Sequence, residues 1–280
     1  MASASATEVT EGVAAVKALT ARPFSVNFIT WLIENDSSPL DAALEAGAAS
    51  ITLSFGDPAP FVDRVHSAGA QLLSQVQSVA AARRSAEVGV DAIIAQGHEA
   101  GGHTGVVPLL PFLPQVVDAV GDIPVLAAGG IGDGRGLAAV LMLGAQGALM
   151  GTRFVVSEEA ESIWPRLPDQ VLAASADDSV WTTAFDIVGG GGRSLWPEGI
   201  GARSIRTPWV DRWSGHEDEL VQRLSDDSTS DDDEGYDSTP AYAGPIAGML
   251  THREPAAQIV TSVIADASHV LDSSRRWLTE

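Results

Sequence analysis

Hydrophobic positions along the chain fall into short runs of β type separated by stretches of helical period. The runs are RPFSVNFI (22–29), AASITLSF (48–55), GAQLLSQV (69–76), DAIIAQG (91–97), DIPVLAAGG (122–130) and QGALMGT (146–152). SSPLDAALEAG (37–47) and PAPFVDRVHSAG (58–69) read as helices between them, each stopped by a glycine. Val9, Val13, Val16 and Leu19 mark a helix ahead of the first run. Strands alternating with helices predict βαβ units and a parallel sheet. The runs are nearly continuous in apolar residues, as expected of strands covered on both faces. A count of six suits a doubly wound open sheet; the placing of the glycine motifs suits a (β/α)8 barrel.

The pattern changes after residue 155. Residues 155–224 carry five of the seven tryptophans and the tract VGGGGRSLWPEGIG (188–201), and read as an appended helical and loop subdomain that shapes a substrate pocket. Trp196 and Trp209 read there as packing residues. SDDSTSDDDEGYDS (225–238) is too polar to pack a core and predicts a flexible acidic loop over 225–239. A last helix follows: Ala256, Ile259, Val260, Val263, Ile264, Ala267, Val270 and Leu271 recur at helical spacing, after a capping signature at Thr251 and Glu254. The expected organisation is a (β/α) barrel over 1–154 and 240–280, the subdomain over 155–224, and the acidic loop between them.

Composition narrows the function. The net charge is −21 with 16 Lys plus Arg, which leaves no basic face for nucleic acid. Cysteine is absent, so disulfides, thiolate catalysis and thiolate-bound metals are excluded. The start, MASASATEVTEG, has neither a basic nor an apolar segment of a secretory signal, and GLAAVLMLGAQGALMG (136–151) is too short to span a bilayer. The expectation is a cytoplasmic protein without a membrane partner.

Two glycine clusters carry the candidate chemistry. AAGGIGDGRG (127–136) follows a strand and opens a helix, but its glycines do not fit a dinucleotide fingerprint. GALMGTRF (147–154) repeats the arrangement one strand later. Two successive strands ending in glycine turns form the pattern of a barrel phosphate site. QGHEAGGHTG (96–105) lies on the strand before them. Its His98, Glu99 and His103 lack a metal-site spacing, and no metal is expected. His103 reads equally well as a general base or as the cap of a glycine turn.

AQGHEAGGHTG, PVLAAGGIGDGRGLAAVLMLGAQGALMGTRF and RPFSVNF, in this order and spacing, resemble the nitronate monooxygenase family of FMN-dependent barrels. The resemblance covers most of residues 8–215. It implies His103 as the catalytic base and Asn27 at the flavin. It implies Gln96 and Gly101 along the isoalloxazine, and Gly129, Gly130, Leu149, Met150, Gly151 and Thr152 as the phosphate grip. His98 stands at a variable position of the family motif. The reaction implied is oxidation of a nitronate or nitroalkane by dioxygen to a carbonyl compound and nitrite.

The family barrel opens with two strands that have no counterpart here. The expectation is therefore a (β/α)8 TIM-type barrel lacking its first two strands, with one flavin wall lost and a homodimer as one way to cover the gap. Four other readings compete: a flavin enoyl-acyl-carrier-protein reductase, an NADH:quinone reductase, a non-catalytic remnant, and a phosphate-binding barrel acting on a sugar phosphate or similar metabolite.

Overall fold

The computed structural model describes residues 4–160, 166–225 and 238–274. Residues 226–237, which hold most of the expected acidic loop, lie outside the described residues, as does Trp164. In chain order the elements are α1 (Ala6–Leu19), β1 (Ser25–Ile29), α2 (Thr30–Ile33), α3 (Ser38–Glu45), β2 (Ser50–Ser54), α4 (Val62–Ser67), β3 (Gln71–Val76), α5 (Val79–Val88), β4 (Ala92–Gln96), β5 (Gly102–Thr104) and α6 (Leu109–Val120). There follow β6 (Val125–Ala128), α7 (Gly134–Met142), β7 (Gly147–Leu149), α8 (Thr152–Val155), α9 (Leu167–Ala173), β8 (Ser179–Thr182), α10 (Ala184–Gly189), β9 (Gly201–Ile205), α11 (Pro208–Trp213), α12 (Glu217–Ser225) and α13 (Ala256–Ser274). The strands order as β1-β2-β3-β4-β6-β7 in one sheet and β5-β9-β8 in a second. The six runs read as strands are the six strands of the larger sheet, in sequence order, which bears out the α/β barrel class. No helix among the described residues is long and apolar enough to cross a membrane.

The chain divides into two compact units, residues 1–95 with 114–126, and residues 96–113 with 127–280. In the first, β1 to β4 are parallel, with Ser25 opposite Ser50, Ser50 opposite Gln71, and Leu73 opposite Ala92. This register sorts the side chains. Phe28, Ile51, Leu53, Leu72, Val76, Ile93 and Ala95 fall on one face and are buried. The other face carries Ser25, Asn27, Thr52, Ser54 and Gln75, joined by the pairs Ser25–Thr52 at 2.8 Å and Ser54–Asn27 at 2.9 Å. β2 and β4 are buried on both faces, as the near-continuous runs led one to expect, but on the second face hydroxyls and amides stand among the apolar residues. Serine and threonine are small enough to sit in a run that still looks apolar.

The second unit holds the ends of β4 and β6 and everything after. Its small antiparallel sheet pairs His103 with Ala202 and Trp181 with Arg203. These strands stand in segments read as loop or helix. Three to five residues flanked by glycine give too little alternation to register as strands. Two apolar clusters support the sheet. Val156, Leu167, Val171, Ile205, Ala243 and Leu250 form one; Ala184, Ile187, Trp209, Trp213 and Leu220 form the other.

Helix α13 packs along α7. It buries Ile259, Val263 and Ala267, while Val260 and Ile264 of the predicted stripe are exposed. Contact is closest at Gly134, where a Cβ would stand 2.4 Å from the Ala267 nitrogen. The Thr251–Glu254 cap is also corrected. The helix begins at Ala256, whose N–H donates to Glu159, and Thr251 pairs with His252. Glu254 instead forms a largely buried ion pair with Arg153 of α8. The match in spacing was local, whereas a buried guanidinium needed the carboxylate.

Two expectations follow from this packing. Glu254→Gln should cost about 3 kcal/mol in urea unfolding, since it strands a buried charge, and Thr251→Ala should cost almost nothing. Gly134→Ala should destabilise by about 1–3 kcal/mol through overpacking. Gly12→Ala, in open space on α1, should stabilise by about 0.5–1 kcal/mol. A stable Gly134→Ala protein would contradict the close helix contact.

Candidate functional site

The second unit gathers its polar groups around His103. Gly102 precedes it with φ +73°, a left-handed turn that lets three residues leave the loop as strand β5. The strand is fixed on both sides of the histidine. Gln96 Nε2 donates to the His103 carbonyl at 3.1 Å, Thr104 Oγ1 donates to Gly97 O at 2.9 Å, and Trp181 Nε1 reaches Thr104 O at 3.3 Å. The strand therefore presents the imidazole from a rigid backbone.

The ring is held as firmly. Trp196 stacks on it with centroids 3.6 Å apart and planes 12° from parallel. Tyr242 meets it edge-on at 5.7 Å. Nε2 lies 2.7 Å from Oδ1 of Asp186, in the first turn of α10. The Asp186 side chain is only 2% exposed, and its Oδ2 is buried without a hydrogen-bond partner. Burial, with the nearby Asp186 carboxylate, pushes the Tyr242 hydroxyl well above the usual phenol range, so it stays protonated.

Glycines bring the segment carrying Tyr242 onto this loop. At Gly101 a Cβ would stand 2.7 Å from backbone atoms of Ala243 and Gly244. At Gly244 it would stand 2.4 Å from the Glu99 carbonyl. The Gly244 N–H in turn donates to Thr152 Oγ1 at 3.0 Å. Gly101 and Thr152, assigned to flavin from the motifs, thus also have work inside the protein. The other histidine of the motif, His98, bonds Gly105 O through Nδ1 at 2.7 Å and closes the loop.

The remaining candidates are placed as follows. Gly129 and Gly130 end β6 in left-handed turns, φ +100° and +70°. A Cβ on Gly129 would stand 2.9 Å from Ala100 N, so no side chain fits there. Gly151, after β7, has open space around it, and Leu149 is exposed. Met150 is half-buried between them. Since β6 and β7 are neighbours, both glycine turns lie at the carboxyl ends of adjacent strands. A cavity of about 390 Å³ adjoins Gly129 and Gly130, lined by Leu109, Ile131, Val140 and Ile246, with Glu99 as its acid. Glu99 accepts from the Leu109 N–H with both carboxylate oxygens. Asn27 belongs to the first unit, where its Oδ1 accepts from Ser54.

Sequence reasoning missed Asp186 and Tyr242, and for Trp196 preferred packing over a place at the pocket. For Asp186 a signal existed: a single acid inside the apolar stretch AFDIV. Buried acids are rare unless paired. Tyr242 follows the acidic tract and carried no signal of its own.

The chain is similar to several known proteins. A protein of Staphylococcus aureus (strain Newman) named "Probable nitronate monooxygenase" is 33% identical over 192 residues, 65% of this chain and 50% of that protein. The (3aS,4S,5R,7aS)-5-hydroxy-7a-methyl-1-oxo-octahydro-1H-indene-4-carboxyl-CoA dehydrogenase of Mycobacterium tuberculosis is 38% identical over 185 residues, 64% of this chain and 50% of that one. The chain thus spans about half the length of these relatives. The structure of FabK from Thermotoga maritima superposes with a TM-score of 0.84 at 28% identity, covering 98% of this chain and 85% of that one. With the glycine turns and the GGH loop in place, and with the family model of nitronate monooxygenase matching residues 1–266, the chain belongs to the nitronate monooxygenase family.

Proposed function

We propose that this chain carries the proton-transfer and flavin-holding site of an FMN-dependent oxidoreductase. Its substrate is a nitroalkane or its nitronate, and dioxygen is the oxidant. The products are a carbonyl compound and nitrite. The observation that carries the reading is His103: an imidazole on a braced strand, stacked, paired to a buried carboxylate, and set in the family's GGH loop.

The residues fit a phosphate-bearing flavin. Gly129 and Gly130 leave no side chain between a ligand and the backbone, and the space beside Gly151 is open. Gly129, Gly130, Met150, Gly151 and Thr152 would hold the phosphate through main-chain amides. Gln96 and Gly101 would stand toward the ring system. When bound, FMN supplies the electron-accepting chemistry, which no side chain here can provide.

The protein's own part is acid–base and positional. A nitroalkane has an acidic C–H next to the nitro group. An imidazole with a free ring nitrogen is suited to take that proton. Trp196 covers one face of the ring and keeps bulk water from it, and the protonated Tyr242 offers a donor rather than a second base.

A second reading is oxidoreduction of an acyl thioester. The relative named as a carboxyl-CoA dehydrogenase favours it, at 38% identity. His103 would then exchange a proton with the thioester's α carbon.

The test begins with the visible spectrum of the chain after incubation with FMN and desalting. Retained flavin bands are expected. Oxygen consumption with nitroethane should fall about 100-fold or more in His103→Gln, with flavin content unchanged. NADH oxidation driven by an enoyl thioester, with no response to nitroethane or its nitronate, would select the second reading. A colourless protein that cannot be reconstituted would overturn both.

The stacked Trp196 gives a further expectation. In the native protein, diethyl pyrocarbonate should modify His103 more slowly than His252, whose side chain is 67% exposed. Trp196→Ala should remove that difference. Equal rates in the unsubstituted protein would contradict the shielded ring.

A further inference from the structure

We propose that Asp186 is a positioning residue that fixes the tautomer of His103 and so makes Nδ1 the nitrogen that takes the substrate proton. The inference rests on the reading of His103 as the base and goes beyond it by naming the atom and what selects it.

A carboxylate accepts hydrogen bonds and does not donate them. With Asp186 Oδ1 2.7 Å from Nε2, the proton between them must belong to the imidazole. The neutral ring then carries its hydrogen on Nε2 and its lone pair on Nδ1. No hydrogen bond to Nδ1 is present among the described residues, since the histidine's other bond, from Gln96, goes to its backbone carbonyl. The ring cannot easily turn to exchange its nitrogens, because Trp196 lies flat against it at 3.6 Å and Tyr242 stands at its edge.

Asp186 is not a structural acid satisfied in several directions. Its side chain is almost wholly buried, and among the described residues it forms no pair with Lys or Arg and Oδ2 has no partner. Among the described residues the carboxylate hydrogen-bonds to His103 alone. A purely structural role would be served as well by an apolar residue of similar size, without the cost of desolvating a charge. What the carboxylate adds is orientation of the imidazole and stabilisation of the imidazolium formed when Nδ1 takes a proton. In that step the substrate C–H bond breaks, its electron pair stays on the substrate as the nitronate, and the proton ends on Nδ1.

The experiment has an arm that needs no turnover. Long-range ¹H–¹⁵N spectra of the ¹⁵N-histidine-labelled chain, with His103 assigned by difference against His103→Gln, report which nitrogen carries hydrogen when the ring is neutral. We expect Nε2 protonated and Nδ1 bare in the unsubstituted protein. Asp186→Asn, close to isosteric, should lose that preference, with an unchanged circular dichroism spectrum. In the turnover arm, Asp186→Asn should lower kcat/KM for nitroethane about 10- to 100-fold. Turnover of preformed ethyl nitronate, which needs no proton removed, should stay unchanged.

A proton on Nδ1 in the unsubstituted chain overturns the proposal and needs no variant, so it decides even if Asp186→Asn fails to fold. An unchanged tautomer in the variant also overturns it, as does an equal loss for nitroethane and nitronate. If the unsubstituted protein with FMN turns over neither substrate, the proposed function falls while the spectra still decide the role of Asp186.

Discussion

A carboxylate taken out of water needs a donor, and in this protein Asp186 has one in reach, His103. The rest of the site is arranged around that single 2.7 Å contact. It sets which edge of the imidazole faces the protein interior. It requires α10 to stand behind β5, which the β5-β9-β8 sheet and the Trp209 cluster bring about. It also explains the crowding of aromatic rings. Trp196 and Tyr242 exclude water from a pair that water would weaken.

Backbone approaching backbone is the second constraint. Gly101, Gly129 and Gly244 each sit where a Cβ would collide with main-chain atoms. The loop of the GGH motif, the turn after β6 and the segment carrying Tyr242 are thereby drawn together without side chains between them. Gly129, proposed for the phosphate grip, and Gly101, proposed along the flavin ring, are thus also needed for the fold. For that reason a substitution at Gly101 would mix a binding effect with a folding one, whereas Gly151, in open space, would separate them.

The parallel strands were legible because their short apolar runs lie between glycine or proline breaks, as in RPFSVNFI and DIPVLAAGG. So were the helices α1, α3 and α13, whose apolar residues recur at helical period. His103 and the glycine turns stood out by motif. The small sheet did not, since β5 is three residues long and its partners lie about a hundred residues away. Asp186 could not be tied to His103 for the same reason: 83 residues separate them, and pairing at that range is decided by packing that no local pattern records. At Thr251 and Glu254 the local pattern was present but lost to a tertiary one, because Arg153 needed the carboxylate more than the helix needed a cap.

The central claim is that His103 removes a proton from carbon, and that step can be followed without any oxidation. Nitroethane incubated anaerobically in D₂O with the FMN-treated chain should lose its α-proton NMR signal faster than in buffer alone, and His103→Gln should return the rate to that of buffer. Exchange no faster than buffer in the unsubstituted protein, with flavin retained, would contradict the account.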